Sequence, residues 1–174
     1  MPDGIDREHP IRDFFCEAVH VAISDKLGLK DVDDVENYLA ELLVAFTHDD
    51  RVFAIRDGSG RTVRSVAEMI AEGDIRLRAD SFRREREVHK HIGDFILFWS
   101  GVYPEFLERF RRADGLDSLI DYQEQGRESY FIVSTFDHGE FAPEAPTFRK
   151  LSSEFEAFRI GLNIVRTNLP GLKH

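Results

Sequence analysis

A chain of 174 residues with 42% hydrophobic and 32% charged residues is too apolar for disorder, and at this length one domain buries about 70% of its unfolded surface without staples. Its formal net charge of −10 repels phosphate backbones and anionic lipid, so neither nucleic acid nor a membrane is expected as a partner. The single cysteine, Cys16, excludes an intramolecular disulfide and a paired-cysteine metal site, and points to a reducing compartment.

Fifteen Phe against one Trp and two Met predict a core built largely from planar rings. The opening MPDGIDREHP has neither a basic region nor an apolar stretch, so it does not read as a signal peptide. The longest apolar run, Phe95 to Trp99, falls far short of the roughly 18 residues that span a bilayer. A cytoplasmic location is therefore expected. No linker, repeat or low-complexity tract interrupts the chain, which reads as a single helical domain over 1–174.

In chain order, the first helix is predicted from about Pro10 to Leu27, with Ile11, Phe15, Ala18 and Ala22 on one face and Gly28 as its left-handed stop. A second follows, with Asp31 as N-cap and Val32, Val35, Leu39, Leu42 and Phe46 as its apolar stripe. Two β-prone runs flank Asp57-Gly58-Ser59-Gly60, which predicts one small β-hairpin near 52–64. Ser65 with Glu68 forms a capping box for a short helix reaching about Glu72. A long helix from about Ser81 to Val102 is polar at its start and apolar nearly all round from Ile92, as a helix buried in its second half should be. Pro104 opens a further helix closed by Gly115, another runs from about Ser118 to Phe136, and His138 to Pro146 is the longest loop.

The last helix runs from Pro146 to Pro170 with an unbroken seam: Phe148, Leu151, Phe155, Phe158, Leu162, Val165 and Leu169. Gly93, Gly126 and Gly161 each cost about 1 kcal/mol relative to Ala inside a helix and so mark close crossings. The fold class is mainly α, a bundle of about six to seven helices.

The strings HIGDFILFWSGVYPE, DYQEQGRESY and FRKLSSEFEAFRIGLNIV together resemble uncharacterised all-helical bacterial proteins. The resemblance covers roughly the C-terminal half. It implies helices and carries no activity, cofactor or catalytic residue with it.

Asp94 stands in the apolar stretch His91 to Tyr103, and a buried carboxylate is costly unless paired. At helical spacing Glu87, His91 and Asp94 fall on one face, an arrangement suited to an acid/base pair or half a metal site. These three are the candidate catalytic residues. The structural alternative is a polar clasp between helices, with an Arg such as Arg127 or Arg159 satisfying the carboxylate.

Glu17 and His20 have the Glu-x-x-His spacing that dicarboxylate-bridged iron proteins use in pairs, but the second copy is missing. Glu85 with His89 and Glu87 with His91 are four apart and do not supply it. Cys16 lies one turn from His20, where a thiolate and an imidazole can bind metal or act as nucleophile and base. A lone Cys among Phe14, Phe15 and Ala18 reads first as a small core residue. No stoichiometric metal and no cofactor are expected, with Glu17 and His20, joined by His91 and Asp94, as the weak metal candidates.

Arg76, Arg78, Arg83, Arg84, Arg86 and Lys90 crowd one segment, but Glu85 and Glu87 interrupt it, so it reads as a solvated, salt-bridged helix start. Gly58-Ser59-Gly60 lacks the following Lys of a phosphate loop and is a turn. The leading expectation is a self-associating helical interaction module, a homodimer because Ile160 and Ile164 lie off the last helix's seam. The alternatives are an enzyme or metalloprotein using Glu87, His91 and Asp94, or a binder of an apolar small molecule in a Phe-lined cavity.

Overall fold

Apolar residues recurring every three or four positions put one stripe on each helix, and burying those stripes against one another builds the molecule. The computed structural model describes residues 9–46, 59, 65–73, 81–113, 117 and 120–169. Their order is α1 (His9–His20), a π-helical turn (Val21–Lys26), α2 (Asp33–Ala45), α3 (Val66–Gly73), α4 (Phe82–Val102), α5 (Pro104–Ala113) and α6 (Tyr122–Ser134). A 3₁₀ turn (Gly139–Phe141), α7 (Ala145–Ser153) and α8 (Phe155–Asn168) complete it. The multi-helix bundle is as expected. No strand occurs among the described residues; the hairpin expected near 52–64 lies outside them except for Ser59, which sits in a turn.

The central element is α4, which packs against α3, α5, α6 and α8. Ile92, Phe95, Ile96 and Leu97 are fully buried there, the consequence of an apolar surface that continues round the helix. Ser81 starts it by accepting the Arg84 amide at 3.1 Å. Gly93 gives up a side chain so that the Tyr130 ring of α6 can lie against the α4 backbone: a Cβ there would sit 2.6 Å from that ring. Gly126 does the same for Phe155, and Gly161 receives Ile23, so all three glycines stand at close crossings.

Every seam residue from Phe148 to Leu169 is buried, but the seam is carried by two helices rather than one. The expected single helix breaks at Glu154 (φ −112°, ψ 28°), which makes eight α-helices among the described residues instead of six to seven. Two serines precede the break. Ser153 Oγ donates to the Lys150 carbonyl of its own helix and so shares a ladder acceptor at the break, whereas Ser152 Oγ reaches across to the Arg127 carbonyl of α6 at 2.8 Å.

The start of α2 also departs from expectation. Asp31 does not cap it: Asp31 is left-handed (φ 59°), and the N-cap position is held by Val32 without a side-chain bond. Instead Asp33, Asp34 and Glu36 place negative charge in the first turn, where the helix dipole favours it. Asp34 is tied to α7 by Lys150 Nζ at 3.0 Å and Thr147 Oγ1 at 2.8 Å, while Lys150 also donates to the Asp31 carbonyl. The first helix ends where predicted, at left-handed Gly28, after widening into the π turn. Ser65 Oγ accepts the Glu68 amide as the capping box requires. Asp117, fully buried, reinforces that end of α3 by accepting from the Val66 and Ala67 amides at 3.1 and 2.9 Å. No described helix is long and apolar enough to cross a membrane.

Candidate functional site

Asp94 is 7% exposed and held by two phenols on one oxygen. Tyr38 of α2 and Tyr130 of α6 donate to Oδ1 at 2.6 and 2.8 Å, and Lys90, one turn back on α4, lies 3.8 Å from Oδ2. Burial first, then the charge of Asp94, pushes both phenols well above their ordinary pKa. The carboxylate is thus clasped between helices, but by tyrosines and a lysine, not by Arg127 or Arg159. Arg127 lends its carbonyl to Ser152, and Arg159 pairs with Glu156 on its own helix.

The other two candidates face elsewhere. Glu87 is exposed, and the His91 ring stacks on Phe46 at a centroid distance of 6.3 Å and lies 6.2 Å from Phe95. Helical spacing placed Glu87, His91 and Asp94 on one side of α4, but Glu87 faces solvent, His91 meets Phe46 and Phe95, and Asp94 meets the two tyrosines.

On α1, Glu17 is exposed and Cys16 half-buried. His20 turns instead to Glu36 of α2, a buried carboxylate that accepts at 2.9 Å from Nδ1 and takes the Ser24 hydroxyl on its other oxygen. The Glu36 hydrogen bond and charge hold the His20 pKa above its usual value. The π turn carries Ser24 toward Glu36, a contact no α-helical spacing announces. No group of three His, Cys, Asp and Glu able to hold a metal ion forms among the described residues.

Of the basic segment, Arg76 and Arg78 lie outside the described residues; the rest is a salt-bridged helix start, with Arg86 buried rather than solvated. Arg83 pairs with Glu140, Arg86 with Glu144 at 2.6 Å, and Arg84 lies 3.9 Å from Glu72. Arg86 also lies over the Phe141 ring, 4.1 Å from its centroid.

A recess of about 320 Å³ opens between α1, α2, α4 and α8. Phe15, Leu43, Phe46, Phe98, Val102, Tyr103, Val165 and Leu169 line it, with Arg166 as the one charged group among the described lining residues. Its size is at the lower end of small-molecule sites. The walls are held by ring contacts: Phe98 packs 4.7 Å from Phe46 and 6.4 Å from Tyr103. Arg166 lies over the Tyr103 ring at 5.1 Å and meets Glu105 of α5 with both terminal nitrogens, at 2.9 and 3.2 Å. The Phe-rich composition anticipates such a cavity in kind; its residues come from four helices and are unreadable without the fold.

The chain matches no protein-family model, no curated protein and no solved structure. The geometry therefore carries the functional assignment by itself.

Proposed function

We propose that this chain is a cytoplasmic binder of a small apolar molecule, related to the helical bacterial proteins its C-terminal half resembles. The observation that carries this is the recess between Phe15, Leu43, Phe98 and Val165: a space of about 320 Å³ lined by apolar side chains. Its lining is apolar apart from Arg166, and rings and aliphatic side chains with one charged group are the composition of a small-molecule site. Titration with octanol, followed by methyl and aromatic resonances, tests it. Saturable shifts confined to Leu43, Val102, Val165 and the neighbouring rings support the proposal, and Val165→Phe, which fills the recess, abolishes them. Uniform or absent shifts refute it.

Self-association is a second proposal, supported by α1. Ile11 and Phe14, one turn apart, are 47% and 51% exposed, an adjacent apolar pair rather than isolated surface hydrophobes. A second copy of the chain is the proposed cover, so sedimentation of the wild type gives a dimer and Phe14→Glu gives a monomer. A wild-type monomer at micromolar concentration removes the proposal. Ile160, 38% exposed, is a lesser contributor, and Ile164, expected beside it off the seam, is half-buried against the core.

A further inference from the structure

The apolar recess is edged by one charged side chain, Arg166, which holds a carboxylate that is not itself part of the recess lining. The Arg166 guanidinium is half held by the Tyr103 face beneath it, and its two terminal nitrogens already grip a carboxylate side by side. That carboxylate belongs to Glu105, 47% exposed at the second position of α5, whereas the Arg166 side chain is 19% exposed and belongs to the recess wall. A planar fork offered to a flat, two-oxygen anion is the arrangement that favours Arg over Lys for carboxylates.

Glu105 can leave at low cost. Its own backbone amide, first, and then Arg166 hold its pKa below the usual range, so the freed carboxylate keeps a donor at the start of α5, where the helix dipole favours negative charge. Tyr103 stays under the guanidinium whichever carboxylate is bound. Arg166 thus keeps its orientation through the exchange.

We propose that the recess takes a monocarboxylic amphiphile, its hydrocarbon body among Phe15, Leu43, Phe98 and Val165 and its carboxylate replacing Glu105 on Arg166. This rests on the recess being a ligand site. Glu105 then acts as an internal stand-in for the ligand's head group, occupying the guanidinium until the ligand arrives.

Octanoate and octanol, equal in chain and different in head group, test both layers by calorimetric titration of the wild type, Glu105→Gln and Arg166→Gln at neutral pH. The expected ratio of octanoate to octanol affinity rises about tenfold or more from Arg166→Gln to Glu105→Gln, about 1.4 kcal/mol, with the wild type between. Octanol affinity stays the same between wild type and Glu105→Gln, because Glu105 is not part of the recess lining. If octanol binds and the ratio is flat across wild type and Glu105→Gln, the carboxylate proposal falls and the apolar site stands. If neither ligand binds, both fall. Should Arg166→Gln fail to fold, the wild type and Glu105→Gln still decide: octanoate must bind the Gln variant several-fold more tightly, and weaker binding overturns the exchange.

Discussion

Removing both phenols from Asp94 should unfold the protein at a lower temperature, and then removing Asp94 itself should raise that temperature again. Asp94 is 7% exposed, and its Oδ1 accepts from Tyr38 and Tyr130 at 2.6 and 2.8 Å. Each hydrogen bond to a charged group contributes about 1.5–3 kcal/mol, so Tyr38→Phe or Tyr130→Phe alone costs roughly that much. The double variant leaves a buried carboxylate with only Lys90, 3.8 Å away and 38% exposed, which places the loss near 3–5 kcal/mol. For a domain this long, about 2–4 °C per kcal/mol gives a fall of about 6–20 °C. Adding Asp94→Leu then replaces the orphaned charge by an apolar group, releases Lys90 to water and leaves no phenol unsatisfied. At least half the loss should return. Asp94→Leu alone falls below that triple variant, because it strands two buried hydroxyls. Thermal unfolding followed by circular dichroism, with urea titration as a check, reads all five variants. A triple variant that melts below the double one would refute the clasp, as would a double variant indistinguishable from wild type.

The same phenols predict a weakness in alkali. Their folded pKa values lie above the ordinary 10.0, so their stability is complete below pH 10 and is lost as pH climbs toward the folded values; denaturant titrations above pH 10 should fall more steeply for wild type than for the Tyr38→Phe, Tyr130→Phe variant. At His20 the pKa is raised above 6.5 by Glu36, so that contact supports the fold below pH 6.5 and is lost as pH rises through the folded value. An NMR titration should place His20 above 6.5 in wild type and return it toward 6.5 in Glu36→Gln; unchanged values would mean the contact does not exist in solution. Gly126→Ala sets a Cβ 2.6 Å from the buried Phe155 ring, costing about 1–3 kcal/mol by overpacking against about 1 kcal/mol of helix propensity. A lower melting temperature is expected, and a rise would show that the crossing is loose.

Most of the helices could be read because local chemistry decides them. Ser65 and Ser81 announce their caps within three residues, and the spacing of Phe148 to Leu169 announces burial whether one helix or two carries it. What could not be read is whatever joins distant segments. The need for a partner at Asp94 follows from its apolar setting, but Tyr38 and Tyr130 stand 56 and 36 residues away, and nothing in the order of residues prefers them to an arginine. Glu36 looks like a surface acid in a first turn until the π turn brings His20 and Ser24 onto it. Asp117 looks like a loop residue until the start of α3 appears above it. The break at Glu154 is hidden for another reason: the apolar period runs straight through it, and the Ser153 hydroxyl that shares a ladder carbonyl there carries no periodic signal.

The bonds from Lys150 to Asp34 and from the Val66 amide to Asp117 have a consequence during synthesis. They join residues 116 and 51 apart, so the N-terminal end of α2 leaves the ribosome long before the lysine that anchors it has been made. At about 5–20 residues per second, that interval is on the order of ten seconds. Throughout it the stripe of Val35, Leu39 and Leu42 has neither α7 nor α8 behind it. The nascent chain must therefore shelter its first helices, through transient pairing of α1 with α2 or through a chaperone, until α7 and α8 have emerged.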